Sequence, residues 1–384
     1  MLGKELIVIK KLNILFVRKV IVEEAHHINT ELQLVKALNS RGHNAKLMGI
    51  GKRTISNGEL VLLKFSMNKG RIFLLKLLLL LPFYCITKNI DVLIVDSEIV
   101  PSTFFVVLIK RIFSIKILLD VRSIPVERDL PATYKHACNI ACKYYNGTTF
   151  ITNGTKKYIE QLINKRFKNT LVFPSAVNPS VFSPAATGAV PLAVKEKLEN
   201  KIILFYHGSI SPNRGVFLVL DALHQIKEQV PNILFVSLSG SNNFITEYCI
   251  SKNYKLDDHL LLLNLVDHES VPAYIKEADI CIVPLPRLVW WEISSPLKLM
   301  EYLAMEKPLI LSDIEAHKSV VPADSGYALY FNPDEPEDLG KAILKAIGGL
   351  NKLRLNAVKG RELIFNKFTW EIQAKAIEEF AGYI

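Results

Sequence analysis

The sequence predicts an α/β protein built from two doubly wound, Rossmann-like domains in tandem. Short apolar runs alternate with helical stretches along both halves of the chain, and a break bearing proline and glycine separates the two series. A length of 384 residues suits two domains, and with 50% of the residues apolar and 22% charged both can bury a core.

In the first half, residues 13–17 (NILFV) read as a buried parallel strand. A helix is expected over 30–41, with Asn29 or Thr30 as its N-cap and Gly42 as its stop, followed by a strand over 45–50. Helix 71–88, strand 91–96 (DVLIVD), helix 103–112 and strand 115–121 (IKILLDV) continue the alternation. Helix 132–145, strand 147–152, helix 154–167 and strand 170–173 complete it. Pro179, Pro184, Gly188 and Pro191 then interrupt the pattern. It restarts with strand 201–206 (KIILFY), helix 216–229 and strand 233–238. Helix 244–252, strand 260–263, helix 271–277 and strand 280–283 follow. Helix 297–305, strand 308–311, strand 328–331 and helix 336–347 end the series. The first domain is therefore drawn over 1–183, the linker over 184–200 and the second domain from 201 onward. Ligands of such sheets bind at the C-terminal strand ends, so the two domains are expected to face a cleft.

Composition narrows the function classes. The five cysteines are scattered, and Cys138 and Cys142, one helical turn apart near His136, lack further ligands at metal-site spacing. They read as free thiols in a reducing compartment. Residues 1–11 lack the apolar core of a signal peptide. The run 74–85 (LLKLLLLLPFYC) carries Lys76 and Pro82 and falls short of the roughly 20 residues that cross a bilayer. The net charge of +10 favours polyanions: nucleic acid, phosphorylated ligands or an anionic membrane. No aromatic-basic face points to nucleic acid.

Residues 294–313 (SSPLKLMEYLAMEKPLILSD) are the most informative stretch. Ser294 and Ser295 are N-cap candidates and Pro296 suits a first helical turn. The free N–H groups at Leu297 and Lys298 and the positive end of the helix dipole form a diphosphate site. Lys298 adds charge at its mouth, and Glu301, one turn on, can accept two ribose hydroxyls. The alternative is an ordinary amphipathic helix with Lys298 and Glu301 on its surface. A second stretch, 206–215 (YHGSISPNRG), joins a strand to a helix through Gly208, Ser209, Arg214 and Gly215. A glycine loop there can wrap a phosphate that Arg214 grips, or the glycines can be simple turn residues.

These segments resemble glycosyltransferase family 4, the retaining group 1 glycosyl transferases of GT-B fold, whose donor helix reads S-P-x-K-x-x-E-Y-L-A-x-x-K-P. The second glutamate of that family's E-x7-E motif falls on Glu301, which the resemblance implies holds the nucleotide ribose. The first falls on Ile293, with Glu292 one residue away, and Ser209 stands where the family often has arginine. Residues 173–184 (FPSAVNPSVFSP), 278–284 (ADICIVP) and 119–125 (LDVRSIP) also resemble family segments. Residues 368–370 with the following helix, 371–384, resemble the terminal helix that crosses back onto the first domain, which leaves 201–370 as the second. The first loop, 18–29 (RKVIVEEAHHIN), lacks the family's paired glycines. His26, His27 and Arg122 are the candidates for the acceptor or phosphate side, the alternatives being surface histidines and, for Arg122, a plain salt bridge.

The resemblance implies transfer of a glycosyl group from a nucleoside diphosphate sugar to a glycan or lipid-linked acceptor, in polysaccharide synthesis. Arg214 and Lys298 are the expected catalytic cations. Gly208, Ser209, Arg214, Gly215, Ser295, Pro296, Leu297, Lys298 and Glu301 are the expected donor-binding set. No cofactor or metal is expected, since no D-x-D is placed to hold one. The location read is cytoplasmic, peripheral at the inner membrane face through 74–83 and 104–115, apolar stretches that carry Lys76, Lys110 and Arg111, with Lys116 just beyond; the other reading of both stretches is plain buried helices of a Rossmann-like layer. Two other readings stay open: a catalytically weakened GT-B subunit in glycan assembly, and a nucleotide-sugar epimerase of the same fold.

Overall fold

The computed structural model describes residues 11–21, 29–51, 55–56, 58–64, 70–125 and 131–384. The chain forms two compact units, one of Met1–Pro174 with Trp370–Ile384 and the other of Ser175–Thr369. Compactness thus breaks the chain ahead of the sequence-drawn boundary at 183. Residues 175–183 pack with the second unit because Val177 N–H donates to Phe368 O at 2.9 Å and Arg361 donates to Phe182 O at 2.8 Å and Pro179 O at 3.0 Å. Within the stretch read as linker, Leu192–Leu198 is helical.

The first unit contains β1 (Asn13–Ile21), β2 (Asn44–Gly51), β3 (Ile55–Ser56), β4 (Leu60–Lys64), β5 (Val92–Val95), β6 (Lys116–Val121), β7 (Gly147–Phe150) and β8 (Thr170–Val172). They form one sheet in the order β3-β4-β2-β1-β5-β6-β7-β8. All neighbours are parallel except the short edge pair β3 and β4, which the sequence pattern did not anticipate. All four residues of β5 are buried, as expected of a strand covered on both faces. The strand order reverses between β1 and β5, the place where open α/β sheets bind ligands. There Arg18 is buried with Glu31 at 2.9 Å and Asp120 at 2.5 Å, and Thr149 Oγ1 donates to the other Asp120 oxygen at 2.6 Å. Asp96, 4.0 Å from Arg18, is pushed up to about 6 because burial outweighs the attraction of that guanidinium.

The terminal helix Trp370–Tyr383 belongs to this unit. Glu378 pairs with Arg41 at 2.5 Å and His43 at 3.3 Å. Phe380 lies so close to Gly147 that a Cβ there would sit 2.8 Å from its ring.

The second unit contains β9 (Ile202–His207), β10 (Ile233–Leu238), β11 (Leu260–Leu263), β12 (Ile280–Val283), β13 (Leu309–Ser312) and β14 (Ala328–Phe331), all parallel, in the order β11-β10-β9-β12-β13-β14. Alternation along β9 feeds two cores. Ile203 and Phe205 pack with Leu299 and Tyr302 on one face, and Leu204 and Tyr206 with Val219 and Leu223 on the other. The order reverses between β9 and β12.

The Arg18 cluster generates a test. Arg18→Met leaves two buried carboxylates without their cation, a loss on the scale of about 3–5 kcal/mol. Urea unfolding of the variant is expected to show the first unit destabilised by that amount; an unchanged midpoint would make the cluster energetically neutral.

Candidate active site

The second unit brings its chemistry-bearing residues to the switch point between β9 and β12. Chain direction there is set by two glycines with positive φ, Gly208 at 103° and Gly215 at 72°. Gly215 follows a 3-10 turn, Pro212–Arg214, and opens the helix Val216–Ile226. A Cβ at Gly215 would stand 1.6 Å from the Pro284 carbonyl oxygen, so the loop reaches the end of β12 only without a side chain. A Cβ at Gly208 would lie 3.5 Å from the Lys298 ammonium.

The helix Leu297–Ala304 points its N-terminus into the same region. Its cap differs from the sequence expectation: Pro296 is the N-cap residue, without a side-chain hydrogen bond. Ser295 and Ser294 are otherwise engaged. The Ser295 hydroxyl accepts from Ser175 N–H at 3.0 Å, and Ser294 Oγ donates to Trp291 O at 2.9 Å. The N–H groups of Leu297 and Lys298 therefore form a helix end with no side-chain cap.

Lys298 Nζ donates to the Tyr206 hydroxyl at 3.3 Å and stands 4.6 Å from that ring's centre. Tyr206 in turn donates to Ser209 O at 2.7 Å, while the Ser209 side chain is exposed. Burial and the charge of Arg214 pull Lys298 down to about 7, against the attraction of Glu301. Arg214 lies over the Trp291 ring at 4.9 Å, and Trp291 Nε1 donates to Asn213 O at 2.6 Å, which steadies the turn.

Glu301 is only 2% exposed. Its two oxygens meet two histidines, His207 Nε2 at 3.0 Å and His268 Nε2 at 2.7 Å. Burial raises its pKa, but the histidines outweigh burial and hold the carboxyl at about 2. A surface role for Glu301 is thereby ruled out. Sequence reasoning missed both histidines. His207 closes β9 directly before Gly208, and a strand's C-terminal end in such a sheet is the signal that could have found it. His268 sits in a 3-10 turn after β11, tilted against Phe182 with ring centres 5.0 Å apart, and no local pattern marks it. Glu292 accepts from Glu315 N–H at 2.7 Å and lies 3.4 Å from Arg287, and these contacts engage both of its oxygens.

Among the acceptor-side candidates, Arg122 follows β6. One N–H donates to Phe173 O at 2.7 Å and the guanidinium covers the Phe173 ring at 4.2 Å. Its Nε and second terminal nitrogen are buried without a hydrogen-bond partner. Burial lowers its pKa despite the pull of Asp120 and Glu31. His26 and His27 lie outside the described residues.

Residues 192–359 match the family model described as glycosyl transferases group 1. "Putative glycosyltransferase YtcC" of Bacillus subtilis is 25% identical over 229 residues, 54% of this chain and 55% of that protein. The chain spans about half the length of the curated relatives it matches. Among solved structures, sucrose-phosphate synthase from Thermosynechococcus elongatus superposes with a TM-score of 0.78 at 16% identity, covering 97% of this chain and 99% of that one. HepE from Anabaena in complex with UDP-glucose gives 0.75 at 13% identity, covering 97% and 100%. The fold is GT-B.

The shifted lysine generates a pH test. Lys298 is ammonium below about 7 and largely neutral above it. A bound diphosphate favours the charged form, so nucleoside diphosphate affinity should fall as pH rises through 7, and binding at pH above that value should take up a proton. Calorimetry in buffers of different ionisation enthalpy measures that uptake; Lys298→Met should abolish it, and an unchanged uptake would assign it elsewhere.

Proposed function

We propose that the protein is a retaining glycosyltransferase that moves a sugar from a nucleoside diphosphate sugar to a glycan or lipid-linked acceptor. We assign it to cell-surface polysaccharide synthesis, acting in the cytoplasm at the inner face of the membrane. One observation carries this reading. The glycine turns, Arg214, Lys298, an uncapped helix N-terminus and a buried ionised Glu301 converge at the switch point of one parallel sheet. The group 1 match over 192–359 covers all of these residues, and UDP-glucose is bound by the similar HepE structure.

In this reading Glu301 takes the ribose hydroxyls. Each carboxylate oxygen has two lone-pair sites; His268 takes one on Oε1, His207 stands 3.0 Å from Oε2, and each oxygen keeps a site for a hydroxyl. The diphosphate lies against the N–H groups of Leu297 and Lys298, with Arg214 and Lys298 as counter-cations. The bond between the anomeric carbon and the diphosphate oxygen breaks as the acceptor hydroxyl oxygen bonds to that carbon on the same face; the electron pair leaves with the diphosphate, which also takes the hydroxyl proton. Preorganised cations stabilise that charge as it develops, the role a metal plays elsewhere. Arg122, with two buried nitrogens unsatisfied, is assigned to an anionic or polyhydroxyl part of the acceptor.

The engaged Glu292 and apolar Ile293 favour a second reading, a catalytically weakened subunit, because neither side chain offers a free carboxylate to the donor sugar. Hydrolysis of the donor by water separates the two: measurable turnover supports the enzyme, and nucleotide binding without turnover supports the subunit.

Glu301→Gln and Glu301→Ala should weaken nucleoside diphosphate binding by about 1.5–3 kcal/mol, the loss expected for hydrogen bonds to a charged group. Calorimetry with unchanged affinity would remove Glu301 from the site. Replacing Arg214 and Lys298 together by alanine should depress turnover more than nucleoside affinity, since both act on the diphosphate; equal losses would make them structural.

A further inference from the structure

Most exposed large apolar side chains of the first unit gather on two neighbouring elements. The helix Gly70–Thr87 buries Phe73, Leu77, Leu81 and Cys85 on one face. Its opposite face is equally apolar, yet Leu75, Leu79 and Phe83 are 63%, 68% and 67% exposed. A helix apolar all round is normally buried all round, so this one has an unpartnered face. The neighbouring helix Phe104–Ile109 and the turn after it add Phe104, Leu108 and Ile112, the last 78% exposed. Ser102 Oγ donates to Leu74 O at 2.8 Å and ties the two elements together. No helix among the described residues is long and apolar enough to cross a membrane.

Charge identifies what covers this face. Residues 70–88 and 104–116 contain no aspartate or glutamate. Exposed Lys76 lies in the first of these elements, exposed Lys88 just after it, and exposed Arg111 in the turn after the second. Lys110 donates to the Tyr144 carbonyl at 2.5 Å, which brings exposed Lys143 and Tyr144 alongside. Every charged residue of these two elements and of the turns that follow them is thus a cation, and an apolar face in that company is complementary to a bilayer with anionic headgroups. A soluble anionic ligand would leave the apolar face uncovered.

We propose that these two elements form a platform that inserts into the interface of an anionic membrane, with Leu75, Leu79, Phe83, Phe104, Leu108 and Ile112 entering the acyl boundary. The proposal deepens the reading of a transferase with a lipid-linked acceptor. It also changes the expected mode of attachment: exposed leucine and phenylalanine hold the protein at high salt, where charge alone would release it.

The test is co-sedimentation of the full chain with vesicles of phosphatidylcholine, and of phosphatidylcholine with about one-third phosphatidylglycerol, at low and at about 1 M salt. Binding to the anionic vesicles that persists in high salt is expected. Leu79→Glu with Phe83→Glu, and separately Leu108→Glu with Ile112→Glu, should each reduce it by about tenfold or more. All four positions are exposed, and thermal unfolding checks that the variants fold. No binding, complete release by salt, or wild-type binding by both variants would overturn the platform. A stable dimer in sedimentation velocity that the substitutions split would also overturn it, because a second copy would then cover the face. Nucleoside diphosphate binding to the same preparations keeps the two readings apart: its loss defeats the transferase and leaves the platform standing, and the reverse holds for vesicle binding.

Discussion

A carboxylate taken out of water between two imidazoles is the constraint on which the second unit's site depends. An unpaired buried carboxylate would be neutralised or expelled, since its desolvation costs several kcal/mol. Glu301 stays ionised because His207 and His268 each meet one of its oxygens. That requirement joins three separate pieces of chain: the end of β9, the turn after β11 and the helix Leu297–Ala304. Once they are joined, the helix N-terminus has one place to be. It lies beside the Gly208 turn, with Lys298 packed over Tyr206.

The same arrangement sets the charge of its neighbours. Lys298 lies one helical turn before Glu301 and in the field of Arg214, and the repulsion and burial win over the carboxylate's attraction. A half-neutral lysine beside a permanent cation takes up a proton whenever an anion is placed against it. His317 responds to the same field. Burial and the nearby Lys298 bring it down to about 4, although its hydrogen bond with Ser312 O at 2.8 Å pulls the other way. Arg214, by contrast, keeps its charge at neutral pH, lying over Trp291 where water and ring share its solvation.

Much of this was legible in the sequence, and the parts that were not share a cause. Strands such as 92–95 and 280–283 are buried on both faces, so their apolar runs declare themselves without context. The glycine positions and the S-P-x-K-x-x-E stretch also read correctly as local geometry, with Gly215 forced by the approach of Pro284. Ser295 did not, because a serine before a helix is a cap only if no better partner exists, and Ser175 is 120 positions away in sequence. His268 was invisible for the same reason: its partner lies 33 positions away on a different element. The edge strand β3 escaped notice because two residues have no period to detect. Local rules succeed where the backbone makes the decision and fail where tertiary contacts do.

The first unit shows how a pattern can mislead even when it is read correctly. A stretch as apolar as 74–85, with Lys76 its one charge, admits either burial on every side or a face meant for something other than water. Sequence periodicity cannot choose, since both cases erase the amphipathic signal. Only the side carrying Phe73, Leu77 and Leu81 is buried. Single exposed apolar residues are ordinary on protein surfaces, but a continuous row of them on adjoining elements is not. What distinguishes this row from a simple defect of packing is its company: the charged residues of its elements and their turns are all cations, and no acid interrupts it. A surface chosen only for solubility would intersperse both signs of charge.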